Sequence, residues 1–156
     1  MKGLYKLLAS SLALTTVALM LTGCGAVPLT GRRQLLLVSD QEIFQAGLTQ
    51  YSEYIASSKI SVNADATVVV KRVGQKLAAA TEKYLTANGL SSELSNFAWE
   101  FNLVQDRQVN AFCMPGGKIV VYEGLLSVAQ TEAELAVVLG HEIAHAVAKH
   151  SNERMS

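Results

Sequence analysis

The segment GHEIAHAVAKHS at positions 140–151 constrains the fold of this chain most, because it places a histidine pair in a strongly helical context. On an α-helix each residue turns by about 100° and rises by about 1.5 Å, so His141 and His145 lie one turn apart on the same side. Glu142 lies about 100° from His141, on the flank of that side. Two imidazoles at this spacing can bind one zinc ion at distances of about 2.0–2.1 Å. The pattern therefore predicts a helix that carries a metal site.

The residue types around this site predict hydrolytic chemistry. We predict that His141 and His145 bind one Zn²⁺ per subunit and that Glu142 is the catalytic base. A zinc ion lowers the pKa of its bound water to about 7, and Glu142 is placed to take the proton of that water and pass it to the leaving amine. The alternative is two solvated histidines on a helix surface. Gly140, which is unfavourable inside a helix by about 1 kcal/mol, is expected to let another segment approach closely or to serve ordinary packing.

A third zinc ligand is not evident in the sequence. Catalytic zinc sites take three protein ligands. On a continued helix His150 would point about 180° away from His141, which excludes it as a ligand and leaves a capping, supporting or plain surface role. Only 11 residues follow His145, too few for a second helix that returns to the ion. The third ligand is therefore expected beyond Ser156.

The N-terminus has the pattern of an export signal. Lys2 and Lys6 precede an apolar run at 7–21, which is shorter than the roughly 20 residues of a membrane-spanning helix. The run ends in LTGC, which resembles the bacterial lipobox and predicts lipidation of Cys24. An uncleaved N-terminal anchor is the alternative. Gly25 after the cysteine favours the outer membrane, by resemblance to Gram-negative lipoproteins.

The remaining composition excludes some functions. Without residues 1–23 the chain has 11 basic and 13 acidic side chains and no basic stripe, so we expect no nucleic-acid surface. If Cys24 is acylated, Cys113 has no disulfide partner. Cys113 is expected to be a small packed hydrophobe rather than a catalytic thiol.

Local signals predict helices, then strands, then the histidine helix, which is an α+β order. Ser39 with Glu42, and Thr131 with Glu134, form capping boxes that begin helices. The first helix is expected to end near Ser57. Asn63 or Asp65 is expected to begin a second helix that runs to about Thr86, with a core-facing stripe of Val69, Val73, Leu77, Ala80 and Tyr84. The alternation of Trp99, Phe101 and Leu103 with polar residues predicts a strand, and a Pro115-Gly116-Gly117 turn predicts two more around it.

Three segments together resemble one family. VPLTGRRQLLLVS, VNAFCMPGGKIVVYEGLL and TEAELAVVLGHEIAHAVAKH are similar, in order and spacing, to metallopeptidase family forty-eight, the CAAX prenyl protease and HtpX-like zinc endopeptidases, in its periplasmic lipoprotein branch. The resemblance implies a zincin-like (gluzincin) metalloprotease domain of α+β class, with a small mixed sheet, an edge strand and the active-site helix. It also implies that the third ligand is a glutamate on a later helix.

The expected organisation is therefore a lipoprotein signal peptide at 1–23, a lipidated tether at 24–38, and a zinc metalloprotease domain at 39–156 that is incomplete at its C-terminus. A protein that truly ended at Ser156 is expected to bind zinc poorly and not to cleave. By the same resemblance an extended substrate pairs with the strand before the helix, with an ordinary hairpin as the alternative. The candidate substrate-strand residues are Asn110, Ala111, Phe112, Cys113 and Met114.

The expected function is zinc-dependent hydrolysis of unfolded or misassembled envelope proteins by an outer membrane lipoprotein that faces the periplasm. The substrates and the membrane, through the lipid anchor, are the expected partners, and the sequence leaves the oligomeric state open. One alternative is a lipoprotein chaperone or assembly factor with a metal site that does not hydrolyse. Metal carriage is a weaker alternative, because a single histidine pair supports it badly.

Overall fold

The structure, a computed structural model, describes residues 24–28 and 30–156 of the 156-residue chain. The predicted signal peptide at 1–23 lies outside the described residues. Within the described part, no helix combines the length and the apolar character that crossing a membrane requires.

From residue 40 to residue 147 the elements follow the predicted order, whereas the short two-stranded hairpin before them and the short helix after them were not predicted. The α-helices are α1 (Asp40–Ser57), α2 (Ala64–Ala87), α3 (Glu132–Val147) and α4 (His150–Met155). The strands are β1 (Cys24–Ala26), β2 (Arg33–Leu35), β3 (Glu100–Val104), β4 (Ala111–Met114) and β5 (Lys118–Tyr122). Two short 3-10 helices cover Ser91–Asn96 and Glu123–Ser127.

The predicted helix starts are confirmed by their hydrogen bonds. The Ser39 hydroxyl accepts from the backbone N–H of Glu42 at 3.2 Å, and the Glu42 carboxylate accepts from the backbone N–H of Ser39 at 3.0 Å. Thr131 and Glu134 form the same reciprocal pair at the start of α3, and Asn63 caps α2. Each cap supplies acceptors to first-turn N–H groups that have no partner inside the helix, which fixes where the helix begins.

The central sheet is small and mixed, with the strand order β3-β5-β4. Strand β5 runs parallel to β3 and antiparallel to β4. The predicted turn joins β4 to β5, with Gly116 and Gly117 at φ values of 87° and 73°, which glycine adopts without steric cost. The predicted strands and their hairpin are therefore confirmed, and β4 lies at one edge of the sheet.

Alternate strand residues pack into two different helical layers. Phe101 and Ile119 belong to the core that α2 and α3 share with the sheet. Phe112 and Val120 pack instead with Tyr51 of α1 on the other face. The result is an α+β arrangement in which the sheet lies between α1 and the α2–α3 pair.

The predicted stripe of α2 is confirmed in part, because Val73 is buried and Val69 and Leu77 pack against the core. Val70 and Leu85 are fully buried, whereas Ala80 and Tyr84, which we expected to face the core, are exposed. The helix is rotated so that Gly74 packs against β3, where an added Cβ would overlap an aromatic ring. Both stripes have helical spacing, so packing against the sheet decides which one is buried.

The chain that follows Cys24 is held against α4. Strand β1 pairs antiparallel with β2, and Arg32 in the connection donates hydrogen bonds of 2.8 and 2.6 Å to the Glu153 carboxylate. The buried Asn152 side chain donates to the carbonyl of Val38 at 3.1 Å. These contacts fix the segment 24–38 beside the helix that follows the histidine pair.

Candidate metal centre

Helix α3 brings the two predicted ligands together. Nε2 of His141 lies 3.0 Å from Nε2 of His145, and the two rings are nearly perpendicular, at 83°. Two nitrogens that share a tetrahedral zinc ion at about 2.0–2.1 Å lie about 3.3 Å apart. The opposite side of the helix is anchored in the core by Leu139 and Ile143, which are 0% and 4% exposed. The spacing of the pair therefore suits two ligand positions of one zinc ion.

The described residues supply two such ligands and not a third. Within 24–28 and 30–156, no cluster of three or more His, Cys, Asp or Glu side chains is arranged to hold a metal ion. The donor set that is present fits zinc in type, since imidazole nitrogens are common zinc ligands. The zinc ion and a glutamate ligand beyond Ser156 both stay predictions.

Glu142 and His145 face a common cleft of about 490 Å³. Phe112 and Cys113 of β4 form one wall of the cleft, and residues of α4 form another. Glu142 is half-buried there, on the flank of the helix as the spacing predicts. The cleft thus joins the proposed base, one proposed ligand and the edge strand.

Cys113 is a poor nucleophile in this environment. Burial raises the pKa of its thiol to about 12, and the negative charge of Glu142 acts in the same direction. Because the thiolate is the reactive form, the thiol is inert at neutral pH. Cys113 also packs against the buried core, which agrees with the prediction of a small packed hydrophobe.

The outer side of β4 has free backbone hydrogen-bonding groups. The backbone N–H of Tyr122 donates to the carbonyl of Asn110 at 3.0 Å, which fixes the phase of the antiparallel ladder. Bonded pairs alternate in such a ladder, so the N–H and C=O groups of Ala111 and Cys113 point away from β5. Among the described residues they make no backbone hydrogen bond outside the sheet. The predicted substrate strand is therefore an open edge beside the cleft, and its use by a substrate stays a prediction.

The prediction that His150 points away from the metal site is wrong, because α3 does not continue to it. The helix ends at Val147, and Lys149 has a left-handed backbone with φ 56°. The chain turns there and begins α4, so Nδ1 of His150 lies 2.6 Å from Nδ1 of His145. No sequence signal marked this turn, because lysine is not a residue that favours the left-handed conformation.

Gly140 lies on an open groove rather than under a close neighbour. A Cβ built on Gly140 meets no atom of the described chain within 4 Å, so the expected close approach is not present. The groove, of about 670 Å³, lies between α2 and α3 and is lined mainly by apolar side chains, among them Leu77 and Tyr84. His145 and His150 line both this groove and the cleft at Glu142, whereas His141 lines the groove.

Comparison with known proteins identifies the family. Residues 70–156, more than half of the chain, match the family model described as peptidase family M48. The chain belongs to peptidase family M48. The M48 match includes the sheet, the cleft and the whole of α3, and it confirms the resemblance drawn from the sequence motifs.

Several named relatives of this M48 chain are proteases. Metalloprotease LoiP of Escherichia coli is 31% identical over 143 residues, which cover 90% of this chain and 53% of that protein. Mitochondrial metalloendopeptidase OMA1 of Schizosaccharomyces pombe is 32% identical over 137 residues, covering 83% of this chain and 36% of that protein. A putative beta-barrel assembly-enhancing protease of Vibrio cholerae is 46% identical over 50 residues, covering 32% of this chain and 10% of that protein. The chain spans about half or less of the length of these relatives.

Proposed function

We propose that this protein is a zinc-dependent endopeptidase that hydrolyses unfolded or misassembled proteins of a bacterial envelope. The observation that carries the proposal is the convergence of the His141 and His145 Nε2 atoms at 3.0 Å, with Glu142 in the adjoining cleft. Membership of peptidase family M48 supports the same reaction, because the named relatives are metalloproteases.

Each residue of the centre has a distinct role in this proposal. His141 and His145 would bind zinc through Nε2, and the predicted third ligand, a glutamate, would complete the set. A zinc ion held by these residues would supply Lewis-acid chemistry for the scissile carbonyl and for a water molecule at the site. Glu142 would accept the proton of the attacking water and return it to the leaving amine.

The edge of β4 defines the class of substrate. An extended peptide that pairs with Ala111 and Cys113 places its backbone along the wall of the cleft that contains Glu142. Backbone pairing tolerates many side chains, but it requires a segment that is not already in a helix or sheet. The proposed substrates are therefore unfolded stretches of polypeptide.

We place the protein at the outer membrane, facing the periplasm, through lipidation of Cys24. The lipobox and Gly25 support this location. In the structure the backbone of Cys24 pairs with Leu35 in the hairpin that Arg32 joins to α4. An acyl anchor at this position would hold the cleft near the membrane surface, because the hairpin is attached to α4. Replacement of Cys24 by serine should release the protein from the membrane fraction, whereas unchanged retention would indicate that residues 1–23 act as the anchor.

The experiment for the activity compares Glu142→Gln with Glu132→Gln in the complete, zinc-loaded protein. Glu132 lies on the same helix but on its exposed side, in an ion pair with Arg72. Loss of a general base typically lowers the rate by about 10²- to 10⁴-fold. We expect that loss for Glu142→Gln with zinc retained, and normal cleavage of unfolded casein by Glu132→Gln. Equal cleavage by both variants would reject the proteolytic role of Glu142, whereas no cleavage by the zinc-loaded native protein would favour the chaperone alternative.

A further inference from the structure

His145 uses both of its ring nitrogens in the described structure. Its Nε2 faces Nε2 of His141 at 3.0 Å, and its Nδ1 contacts Nδ1 of His150 at 2.6 Å. The rings of His145 and His150 have centroids 4.8 Å apart and are tilted by 55°. The ring of His145 is therefore held by His150 at Nδ1, the nitrogen that faces away from His141.

We propose that His150 is a positioning residue that fixes the tautomer and the ring orientation of His145; this inference rests on the proposed zinc site. A neutral imidazole has one protonated and one unprotonated nitrogen. To present a lone pair at Nε2, His145 carries its proton on Nδ1 and donates it in a hydrogen bond to Nδ1 of His150. His150 then carries its own proton on Nε2. Hydrogen bonds of this kind orient metal-binding histidines in many proteins and raise their basicity.

The fold positions the backbone at His150, so the contact between His150 and His145 does not depend on a freely rotating side chain. Lys149, in its left-handed turn, places Nζ 2.6 Å from the Asp40 carboxylate and 2.8 Å from the Glu93 carboxylate. Asn152, which is 2% exposed, donates to Oδ1 of Asp40 at 3.1 Å. These contacts tie both sides of His150 to α1 and to the 3-10 helix at 91–96. The first turn of α4 is thus held in place against His145.

The geometry excludes His150 as a ligand of the same ion. An ion at the His141–His145 pair binds Nε2 of His145, whereas His150 lies at Nδ1, on the other side of the ring. His150 is also half-buried between the groove at Gly140 and the cleft at Glu142, so it is not a plain surface histidine. The position of His150 therefore allows it to accept a hydrogen bond from the Nδ1–H of His145.

The experiment compares His150→Asn with His150→Leu in the complete protein. The side-chain oxygen of asparagine occupies a position similar to Nδ1 of histidine and can accept the hydrogen bond, whereas leucine fills the space without an acceptor. The first readout is the zinc dissociation constant from chelator competition at one fixed pH. We expect about 10- to 100-fold weaker zinc binding for His150→Leu, and largely restored binding for His150→Asn.

The second readout is the tautomer of His145 from nitrogen-15 NMR of the zinc-free protein. We expect the Nδ1–H form to dominate in the native protein and in His150→Asn, and a mixture of tautomers in His150→Leu. Unchanged zinc binding and an unchanged tautomer in His150→Leu would overturn the proposal. Equal losses in both variants would also overturn it, because they would show a packing role only.

The two readouts separate this proposal from the proposed function. If the native protein binds no zinc, the proposed peptidase centre fails, yet the tautomer measurement still decides whether His150 sets the proton position on His145. If the native protein binds zinc and cleaves casein while His150→Leu behaves identically, only the positioning role fails. Thermal unfolding of each variant shows whether it is folded.

Discussion

Arg32 binds both carboxylate oxygens of Glu153, at 2.8 and 2.6 Å, and so joins the hairpin after Cys24 to α4. The two residues are 121 positions apart in sequence. Because α4 begins at His150, this ion pair connects the proposed membrane anchor to the support of the proposed metal centre. Because the pair is exposed, we expect it to hold the hairpin against α4 locally and to add little to the free energy of unfolding of the whole protein.

The attachment of the hairpin should depend on pH. The hydrogen bond from Arg32 lowers the pKa of Glu153, and the charge of the Arg32 guanidinium acts in the same direction. Since the folded pKa lies below the unfolded value of about 4.5, the contribution is complete above that pH and is lost as pH falls through the lowered pKa. We expect hydrogen exchange of the β2 amides to be slower in the native protein than in Glu153→Gln at neutral pH. The difference should vanish in strong acid, and a difference that persists there would contradict the role of the ion pair.

Lys149→Met should destabilise the protein, because it leaves the Asp40 and Glu93 carboxylates without their shared cation. Burial acts to lower the pKa of Lys149, but the hydrogen bonds to Asp40 and Glu93 raise it above its ordinary value. Its contribution is therefore present at neutral pH and is lost only as pH rises above about 10.5. We expect a loss of about 1–3 kcal/mol in the free energy of unfolding, measured in urea at neutral pH. Lys76→Met, at an exposed position 3.9 Å from Glu132, is the control and should change stability by less than about 0.5 kcal/mol.

Gly140→Ala and Gly74→Ala should have opposite effects on stability, although both glycines lie inside helices. A Cβ at Gly140 meets no described atom, and alanine is favoured over glycine in a helix by about 1 kcal/mol. A Cβ at Gly74 would overlap the Phe101 ring, and such overpacking costs about 1–3 kcal/mol. We expect a higher melting temperature for the first variant and a lower one for the second. A lower melting temperature for Gly140→Ala in the complete protein would show that a segment outside the described residues packs there.

Strand addition to β4 predicts an alternating pattern in the substrate. Ala111 and Cys113 present outward backbone groups, whereas Phe112 between them pairs with β5. A bound peptide therefore uses only every second N–H group to pair with this edge. In a peptide that the enzyme cleaves, N-methylation at successive residues should alternate between little effect and a loss of about 5- to 30-fold in kcat/KM. If the loss of kcat/KM did not alternate from one methylated residue to the next, the result would argue against pairing at this edge.

Local features of the sequence determined the helix starts, the strand pattern and the histidine geometry. Ser39 with Glu42 bonds within one turn, and the Gly116–Gly117 turn needs backbone angles that glycine supplies, so neighbouring residues are sufficient to specify both. His141 and His145 converge because residues four apart on any α-helix lie on the same side. Each of these features depends only on residues a few positions apart, so the local sequence is sufficient to predict it.

The tertiary structure alone decided the position of His150 and the buried side of α2. His150 reaches His145 because Lys149 adopts a left-handed turn that distant partners, Asp40 and Glu93, stabilise. Tyr84 is exposed because α2 packs against the sheet with a neighbouring stripe of similar hydrophobicity. Local preference disfavours the left-handed turn at Lys149 and hardly distinguishes the two stripes of α2, so contacts between residues far apart in the sequence select both outcomes.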